Sequence, residues 1–326
     1  MAKRSPTRVG LIGCGMNMEM HLRLVEKARG VKLVAACDPN EKATQFLQKI
    51  AASPLSLHTN HRKMLRDEKL DAVLISTPHN LHYTHVRDAL NAGMHVLIEK
   101  PLTIKTSHAK ALLELSKKKR RILHVAYQRH HWGAYTHVRN LVRKGAIGRL
   151  QAVTGYITQN WVNGWGWRFD PVVSGGGMLM DTGSHLVASM LFTSGLHIRE
   201  VTALSDNVGK MVDINTTVSV RFDNDAIASL TFVGSAQEHD EILSLHGDKG
   251  SIVLHSHQWT LRNQFINGEP LAVPQSAKTC TPDEQFFKWI SGAKGYERPM
   301  YAIEVARLSE ATYKSIREKR PVKITN

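Results

Sequence analysis

Short apolar runs alternate with amphipathic segments over about the first 125 residues of the chain. The segments between the runs, such as residues 41–51 and 82–91, carry apolar positions at helical spacing. Buried parallel strands separated by helices are typical of a doubly wound α/β sheet, so this part is predicted to have that fold. The predicted strands are residues 9–12, 33–37, 72–76, 95–98 and 122–125.

After residue 125 the pattern changes to longer stretches in which apolar and polar positions alternate. Such alternation, with turn residues between several stretches, indicates a mostly antiparallel sheet. The predicted strands are residues 150–158, 201–205, 216–222, 226–232 and 242–246, with a short last strand at 321–324. The predicted helices are residues 131–144, 184–192, 282–290 and 301–318. We therefore expect two domains, residues 1–125 and 126–326, and the last helix could pack back on the first domain.

Length and composition agree with this division. A chain of 326 residues exceeds one ordinary hydrophobic core. No run approaches the roughly 18 apolar residues of a membrane helix, and the basic start at residues 1–7 lacks the apolar stretch of a secretory signal. The three cysteines, Cys14, Cys37 and Cys280, have no CxxC spacing, which indicates reduced thiols and a cytoplasmic protein.

The formal net charge of +15 leaves two kinds of protein open. A nucleic-acid surface would give such a charge, and so would a basic, soluble enzyme. The basic residues are mostly scattered, and the dense run at 117–121 falls at a predicted helix end, where cations complement the helix dipole. We favour the enzyme and expect no nucleic-acid partner; an anionic substrate stays open.

A candidate nucleotide site lies at the first strand–helix turn. Gly13 and Gly15 there allow a tight turn and let backbone N–H groups approach a pyrophosphate, although Met18 replaces the usual third glycine or alanine. Asp38 ends the second strand, where a carboxylate binds both adenosine ribose hydroxyls and repels a 2′-phosphate. Asp38 could instead only cap the next helix. The glycine turn favours the ribose role, and NAD rather than NADP is the predicted cofactor.

Further motifs make the chain resemble one enzyme family over nearly its whole length. They are Ser76-Thr77-Pro78-His79-Asn80-Leu81-His82, Glu99-Lys100-Pro101, Tyr127-Gln128-Arg129, and Ser174-Gly175-Gly176-Gly177 followed by Asp181-Thr182-Gly183-Ser184-His185. With the glycine turn and His21 six residues beyond it, their order resembles the glucose–fructose oxidoreductase / inositol dehydrogenase family (Gfo/Idh/MocA). The resemblance implies a Rossmann domain and a substrate-binding domain. The large open sheet of the second domain would form a homodimer or homotetramer.

The resemblance also implies which residues form the site. The implied catalytic residues are Lys100, Asp181 and His185, which would also contact the substrate. The implied NAD-binding residues are Gly13, Gly15, Met16, Asn17, Asp38, Thr77, Pro78, Asn80, His82, Glu99, Lys100 and Gln128.

These side chains suit the oxidation of a secondary alcohol, which needs proton removal from oxygen while a hydride leaves carbon. His185 is the best base because imidazole titrates near neutral pH. Asp181, four residues earlier, would share its helix face and orient it or bind another hydroxyl. Lys100 would stabilise the developing alkoxide. No third ligand accompanies Asp181 and His185, so no metal is expected.

Three tryptophans precede the triple glycine. Trp161, Trp165 and Trp167 lie close to Arg168 in the sequence, and flat aromatic faces beside a guanidinium suit a sugar ring. Tryptophans belong to a core more often than to a ligand platform. We expect residues 160–170 to form a wall of the substrate site.

The sequence predicts an NAD-dependent oxidoreductase that transfers a hydride between nicotinamide and a secondary alcohol or ketone of a sugar, cyclitol or related polyol. One alternative is an NAD-dependent glycosidase that works through a transient 3-keto sugar. Another is a non-catalytic dinucleotide-binding sensor, against which the presence of Lys100, Asp181 and His185 argues.

Overall fold

The computed structural model describes residues 5–164 and 166–324. The chain divides into two compact units, each with its own sheet. The first unit comprises residues 5–103, 107–126 and 280–300, and the second comprises residues 104–106, 127–164, 166–279 and 301–324. A late segment of the chain therefore belongs to the first unit.

The first unit contains a six-stranded parallel sheet. Its strands are β1 (Thr7–Ile12), β2 (Val31–Cys37), β3 (Ser56–His58), β4 (Ala72–Ile75), β5 (His95–Ile98) and β6 (Leu123–Val125). Their order is β3-β2-β1-β4-β5-β6, and every neighbouring pair is parallel. The predicted doubly wound sheet is confirmed, with β3 as an additional strand.

The second unit contains a nine-stranded sheet. Its strands are β7 (Leu150–Thr158), β8 (Ile198–Asp206), β9 (Asn215–Phe222), β10 (Ile227–Val233), β11 (Asp240–Gly247), β12 (Gly250–His257), β13 (Thr260–Ile266), β14 (Glu269–Pro270) and β15 (Val322–Lys323). Their order is β14-β13-β12-β11-β7-β10-β9-β8-β15. Only β7 and β10 pair in parallel among the described strands of this sheet, so the predicted mostly antiparallel sheet is also confirmed.

Ten α-helices occur in the described residues. They are α1 (Met16–Lys27), α2 (Glu41–Ile50), α3 (His61–Asp67), α4 (His79–Asn91), α5 (Thr106–Lys119), α6 (Gly133–Arg143), α7 (Pro171–Ser174), α8 (Ser184–Ser194), α9 (Pro282–Ile290) and α10 (Tyr301–Glu318). None of these helices is both long and apolar enough to cross a membrane.

Buried apolar side chains hold the helices of each unit against its sheet and against neighbouring helices. In the first unit, Val9 of β1, Met18 of α1 and Phe286 of α9 belong to one buried apolar cluster. In the second unit α8 is buried along nearly its whole length, and it packs against α6, α10 and β7. Strand β9 alternates buried and exposed positions, because helices cover one face of the sheet and leave the other face exposed.

Candidate active site

The turn between β1 and α1 requires glycine. Gly13 has a φ of +86°, and a Cβ at this position would lie 2.4 Å from the carbonyl oxygen of Ser76. Gly15 precedes α1. Apart from its two chain neighbours, no described residue has an atom within 4 Å of where a Cβ of Gly15 would lie. Met16 and Asn17 follow on the exposed first turn. The free N–H groups of this helix end fit a pyrophosphate.

Asp38 lies beside this turn at the end of β2. One carboxylate oxygen accepts a hydrogen bond from the backbone N–H of Cys14 at 2.8 Å, and the other accepts one from Asn40 at 2.8 Å. Asn40, not Asp38, caps α2 with its side chain. Asp38 is therefore fixed next to the glycine turn, where a ribose diol would reach it. Met18 is fully buried in the core and fills the space between α1 and the sheet.

His82 holds the turn between β4 and α4. Its ring nitrogens lie 2.7 Å from the carbonyl oxygen of Pro101 and 2.8 Å from that of Thr77. The side chain is fully buried, and this burial lowers its pKa despite the two carbonyl groups. Pro78 precedes α4 and is half-buried, and Asn80 lies in the first turn of α4 and is exposed. His82 thus connects the turn to the segment that carries Lys100.

The carboxylate of Glu99 belongs to a buried charged cluster at the end of β5. One oxygen lies 3.0 Å from Nε2 of His21, and the other accepts the backbone N–H of Lys100 at 3.1 Å. Nδ1 of His21 lies 2.8 Å from a carboxylate oxygen of Asp283 on α9. Burial opposes charge on the imidazole, but the two carboxylates outweigh it and raise the pKa of His21 to about 10. His21 is therefore a cation that orients Glu99 and, through it, the backbone at Lys100.

The triple glycine permits a close approach to two other segments of the second unit. A Cβ at Gly176 would lie 2.0 Å from the hydroxyl oxygen of Tyr313, and one at Gly177 would lie 1.9 Å from the carbonyl oxygen of Asp213. The Asp213 carboxylate accepts hydrogen bonds from the N–H of Gly177, the N–H of Leu179 and the hydroxyl of Tyr313, at 2.7, 2.9 and 2.7 Å. This arrangement fixes the π-helical turn Leu179–Gly183.

Asp181 lies on that turn, and α8 follows with His185 in its first turn. One carboxylate oxygen of Asp181 accepts the indole N–H of Trp161 at 3.1 Å and the Nε–H of Arg168 at 3.0 Å. The ring of His185 contacts Tyr127 and Trp259, with centroid distances of 5.8 and 5.0 Å. Asp181 and His185 are 6% and 5% exposed, so both are largely shielded from bulk water.

The segment 160–170 contributes support to Asp181. Trp161 is buried and donates its indole N–H to Asp181. The guanidinium of Arg168, which also contacts Asp181, lies 4.9 Å from the ring centroid of Trp167. Trp165 lies outside the described residues. Gln128, half-buried, begins the short turn Gln128–His131 of the second unit.

Several residues of these clusters were not singled out from the sequence. Asp283 is 262 positions from His21, Tyr313 is 100 positions from Asp213, and Glu241, which pairs with buried Arg129, is 112 positions from it. None has a motif of its own, so no sequence pattern could have found them. Within residues 5–164 and 166–324, no group of three or more His, Cys, Asp or Glu side chains could hold a metal ion.

Comparison with known proteins agrees with this arrangement. The model of an oxidoreductase family with an NAD-binding Rossmann fold matches residues 7–127, and the Gfo/Idh/MocA C-terminal domain matches residues 135–253. Together the two matches cover most of the sequence. The chain therefore belongs to the Gfo/Idh/MocA oxidoreductase family, which confirms the resemblance, and its first unit is an NAD-binding Rossmann domain.

Its relatives include enzymes named for sugar substrates. A D-glucoside 3-dehydrogenase of Escherichia coli K12 is 30% identical over 195 residues, which are 59% of this chain and 55% of that protein. A dTDP-3,4-didehydro-2,6-dideoxy-alpha-D-glucose 3-reductase of Streptomyces violaceoruber is 28% identical over 76% of this chain and 72% of that protein. The chain spans about half the length of several curated relatives that it matches.

The same fold occurs in solved structures. The WlbA dehydrogenase from Bordetella pertussis, in complex with NADH and UDP-GlcNAcA, has a TM-score of 0.84 to this chain. The two are 21% identical, with 98% of this chain and 99% of that one covered. At this level of sequence identity, the likeness shows that the two proteins share a fold.

Proposed function

We propose that the protein is an NAD-dependent oxidoreductase that transfers a hydride between nicotinamide and a secondary alcohol or ketone of a sugar, cyclitol or related polyol. The observation that carries the proposal is the pairing of Asp181 with Arg168 and Trp161, one helical turn before His185. A shielded imidazole one helical turn after a fixed carboxylate is suited to remove a proton from a hydroxyl.

Bound NAD⁺ supplies the acceptor for the hydride in the oxidative direction. The glycine turn at Gly13 and Gly15 and the carboxylate of Asp38 would hold it, because the turn and the ribose acceptor fit such a ligand. His185 accepts the hydroxyl proton, while Asp181 holds a second hydroxyl or the imidazole in position. For Lys100 we propose the role that the family resemblance implies, which is to stabilise the developing alkoxide of the substrate.

A sugar-like substrate is supported by two facts. Relatives of this chain are named as glucoside and deoxysugar oxidoreductases. The polar groups that contact Asp181 include an indole N–H and a guanidinium, which suit a ligand with several hydroxyls. We include a cytoplasmic location in the proposal, because Cys14, Cys37 and Cys280 are all free thiols.

A substrate screen tests the proposal. The purified protein is incubated with NAD⁺ and a panel of hexoses, methyl glucosides and cyclitols, and NADH is followed by its absorbance. We expect oxidation of at least one sugar or cyclitol, and Lys100→Ala should lower turnover roughly 100-fold because one electrostatic stabiliser is lost. Lys110→Ala, which changes an exposed lysine on α5, is the control. Binding of sugars without any redox turnover would contradict the proposal.

The exposed face of the nine-stranded sheet supports association into a homodimer or homotetramer. Leu204 of β8 and Ile227 of β10 point away from the covering helices and are 79% and 50% exposed. Burial of such residues between two copies removes apolar surface from water. We expect an oligomer by light scattering, and Leu204→Lys should shift it toward the monomer. A monomeric unmodified protein at micromolar concentration would disprove this part of the proposal.

A further inference from the structure

Trp259 occupies an unusual position in the second unit. It is 36% exposed, and it is the most exposed tryptophan in residues 5–164 and 166–324. It lies in the two-residue hairpin loop between β12 and β13, where His257 pairs with Thr260. Gln258 and Trp259 have φ values of +47° and +64°, in the left-handed region that glycine and asparagine favour. Turn propensity therefore does not explain a tryptophan here.

The surroundings of Trp259 link it to the proposed base. Its ring centroid lies 5.0 Å from that of His185 and 4.2 Å from that of His239, both in edge-on arrangements. The guanidinium of Arg129 lies over the indole at 5.2 Å from its centroid. The indole thus contacts three neighbours, while about a third of its surface stays open.

Arg129 fixes the orientation of the indole. The side chain of Arg129 is 1% exposed and donates a hydrogen bond to the buried Glu241. These two constraints fix the position of its guanidinium. Its Nε and Nη1 atoms have no hydrogen-bond partner among the described residues. Contact of this cation with the electron-rich face of Trp259 partly compensates the missing hydrogen bonds. The aromatic surface is therefore preorganised before any ligand arrives.

We propose that Trp259 is a specificity-determining residue that stacks against the ring of a sugar or cyclitol whose hydroxyl faces His185. The inference rests on the proposed function and names a further contact in that site. The C–H groups of such a ring form an apolar patch, and an indole face binds it while the hydroxyls remain free for polar partners. Trp161 cannot take this role in the described arrangement, because it is buried and donates its N–H to Asp181.

Substitutions of different shape test the proposal. Trp259→Phe keeps an aromatic face, Trp259→Leu keeps apolar bulk without one, and Trp259→Ala removes both. Trp289→Phe is the matched control, since Trp289 packs on Tyr296 and His124 in the first unit. Each variant is assayed for KM and kcat with the substrate found in the screen. Binding of methyl β-D-glucoside and myo-inositol is measured separately by saturation-transfer NMR in the presence of NADH.

We expect Trp259→Ala and Trp259→Leu to weaken sugar binding and raise KM on the order of 10-fold, the usual strength of one aromatic contact. Trp259→Phe should keep more of the affinity than Trp259→Leu does, and NADH affinity should not change in any variant. If Trp259→Leu binds sugar as well as Trp259→Phe does, or if Trp259→Ala binds it unchanged, the inference is overturned.

The two proposals fail differently. An unmodified protein that binds the sugar but does not oxidise it contradicts the proposed function, and the binding series still decides the role of Trp259. An unmodified protein that oxidises sugars with no effect of Trp259→Ala contradicts only the role of Trp259. Absence of any sugar binding overturns both.

Discussion

We expect cofactor preference to depend on Asp38, whose two carboxylate oxygens each accept one backbone N–H. Each oxygen keeps a further lone pair for a ribose hydroxyl, and its negative charge repels a 2′-phosphate. We expect Asp38→Ala to weaken NADH binding and to reduce the preference for NADH over NADPH, as measured by fluorescence titration. Glu41→Ala, an exposed carboxylate on the same segment, should leave both affinities unchanged. Equal binding of NADPH by the unmodified protein would contradict the assignment.

His185 is the residue that should control the pH dependence of turnover. Only its neutral form accepts a proton, so oxidation should rise with pH through the histidine range. We expect His185→Ala to flatten this rise and to lower kcat on the order of 10²–10⁴-fold, the usual contribution of a general base. His197→Ala, which changes an exposed histidine of the same unit, serves as the control in the pH–rate profile.

The neighbouring carboxylate and the lysine provide the cross-check on this assignment. Asp181→Asn should lower turnover less than His185→Ala does, because in the proposed mechanism Asp181 acts by positioning while His185 contacts the hydroxyl. The opposite pattern has a definite meaning. If His185→Ala kept the pH profile and most of the rate while Lys100→Ala abolished both, Lys100 would be the base and His185 would only position the substrate.

At the scale of elements, hydrophobic periodicity predicted most strands and helices, because the pattern of residues close together in the sequence determines these elements. It missed β3, which has only three residues, and β12 to β14. Strand β13 is partly exposed along its whole length, so its sequence has no buried and exposed faces to alternate. The glycine turn and Asp38 were predictable because adjacent strand ends bring them together.

The supports of the candidate site were not predictable for the opposite reason. The bond from Tyr313 to Asp213 joins α10 to the segment before β9, and the pair of Arg129 and Glu241 joins a short turn to β11. Such contacts depend on the tertiary arrangement, and single residues give no local pattern for them.

The contact of α1, β5 and α9 through His21 predicts a pH effect on stability. The pKa of His21 in the folded protein is about 10, above its ordinary value of 6.5, so folding stabilises its protonated form. This contribution is complete below pH 6.5 and is lost as the pH rises through about 10. We expect the melting temperature to fall over this range, and less steeply in His21→Gln, whose side chain does not titrate. Parallel curves for the two proteins would show that His21 does not carry this charge.

The molecule as a whole combines an NAD-binding unit with a sheet-based unit, and each has its own buried core. Its net charge of +15 attracts both NADH and NADPH, and it attracts NADPH more strongly because of the additional phosphate. A preference for NADH must then come from local groups such as Asp38. A global measurement of stability can therefore separate charge attraction from specific binding.

We expect NADH to raise the thermal stability of the protein more than NADPH does at equal concentration. A ligand that binds only the folded state adds about 2.7 kcal/mol at 100 times its Kd. For a unit of this size, that raises the melting temperature by roughly 5–10 °C. Scanning calorimetry with either dinucleotide, at low and high salt, measures the effect. Salt should reduce any shift due to net charge and leave the NADH-specific difference, and Asp38→Ala should remove that difference. Equal shifts in melting temperature with both dinucleotides at high salt would mean that Asp38 does not distinguish the ribose of NADH from that of NADPH.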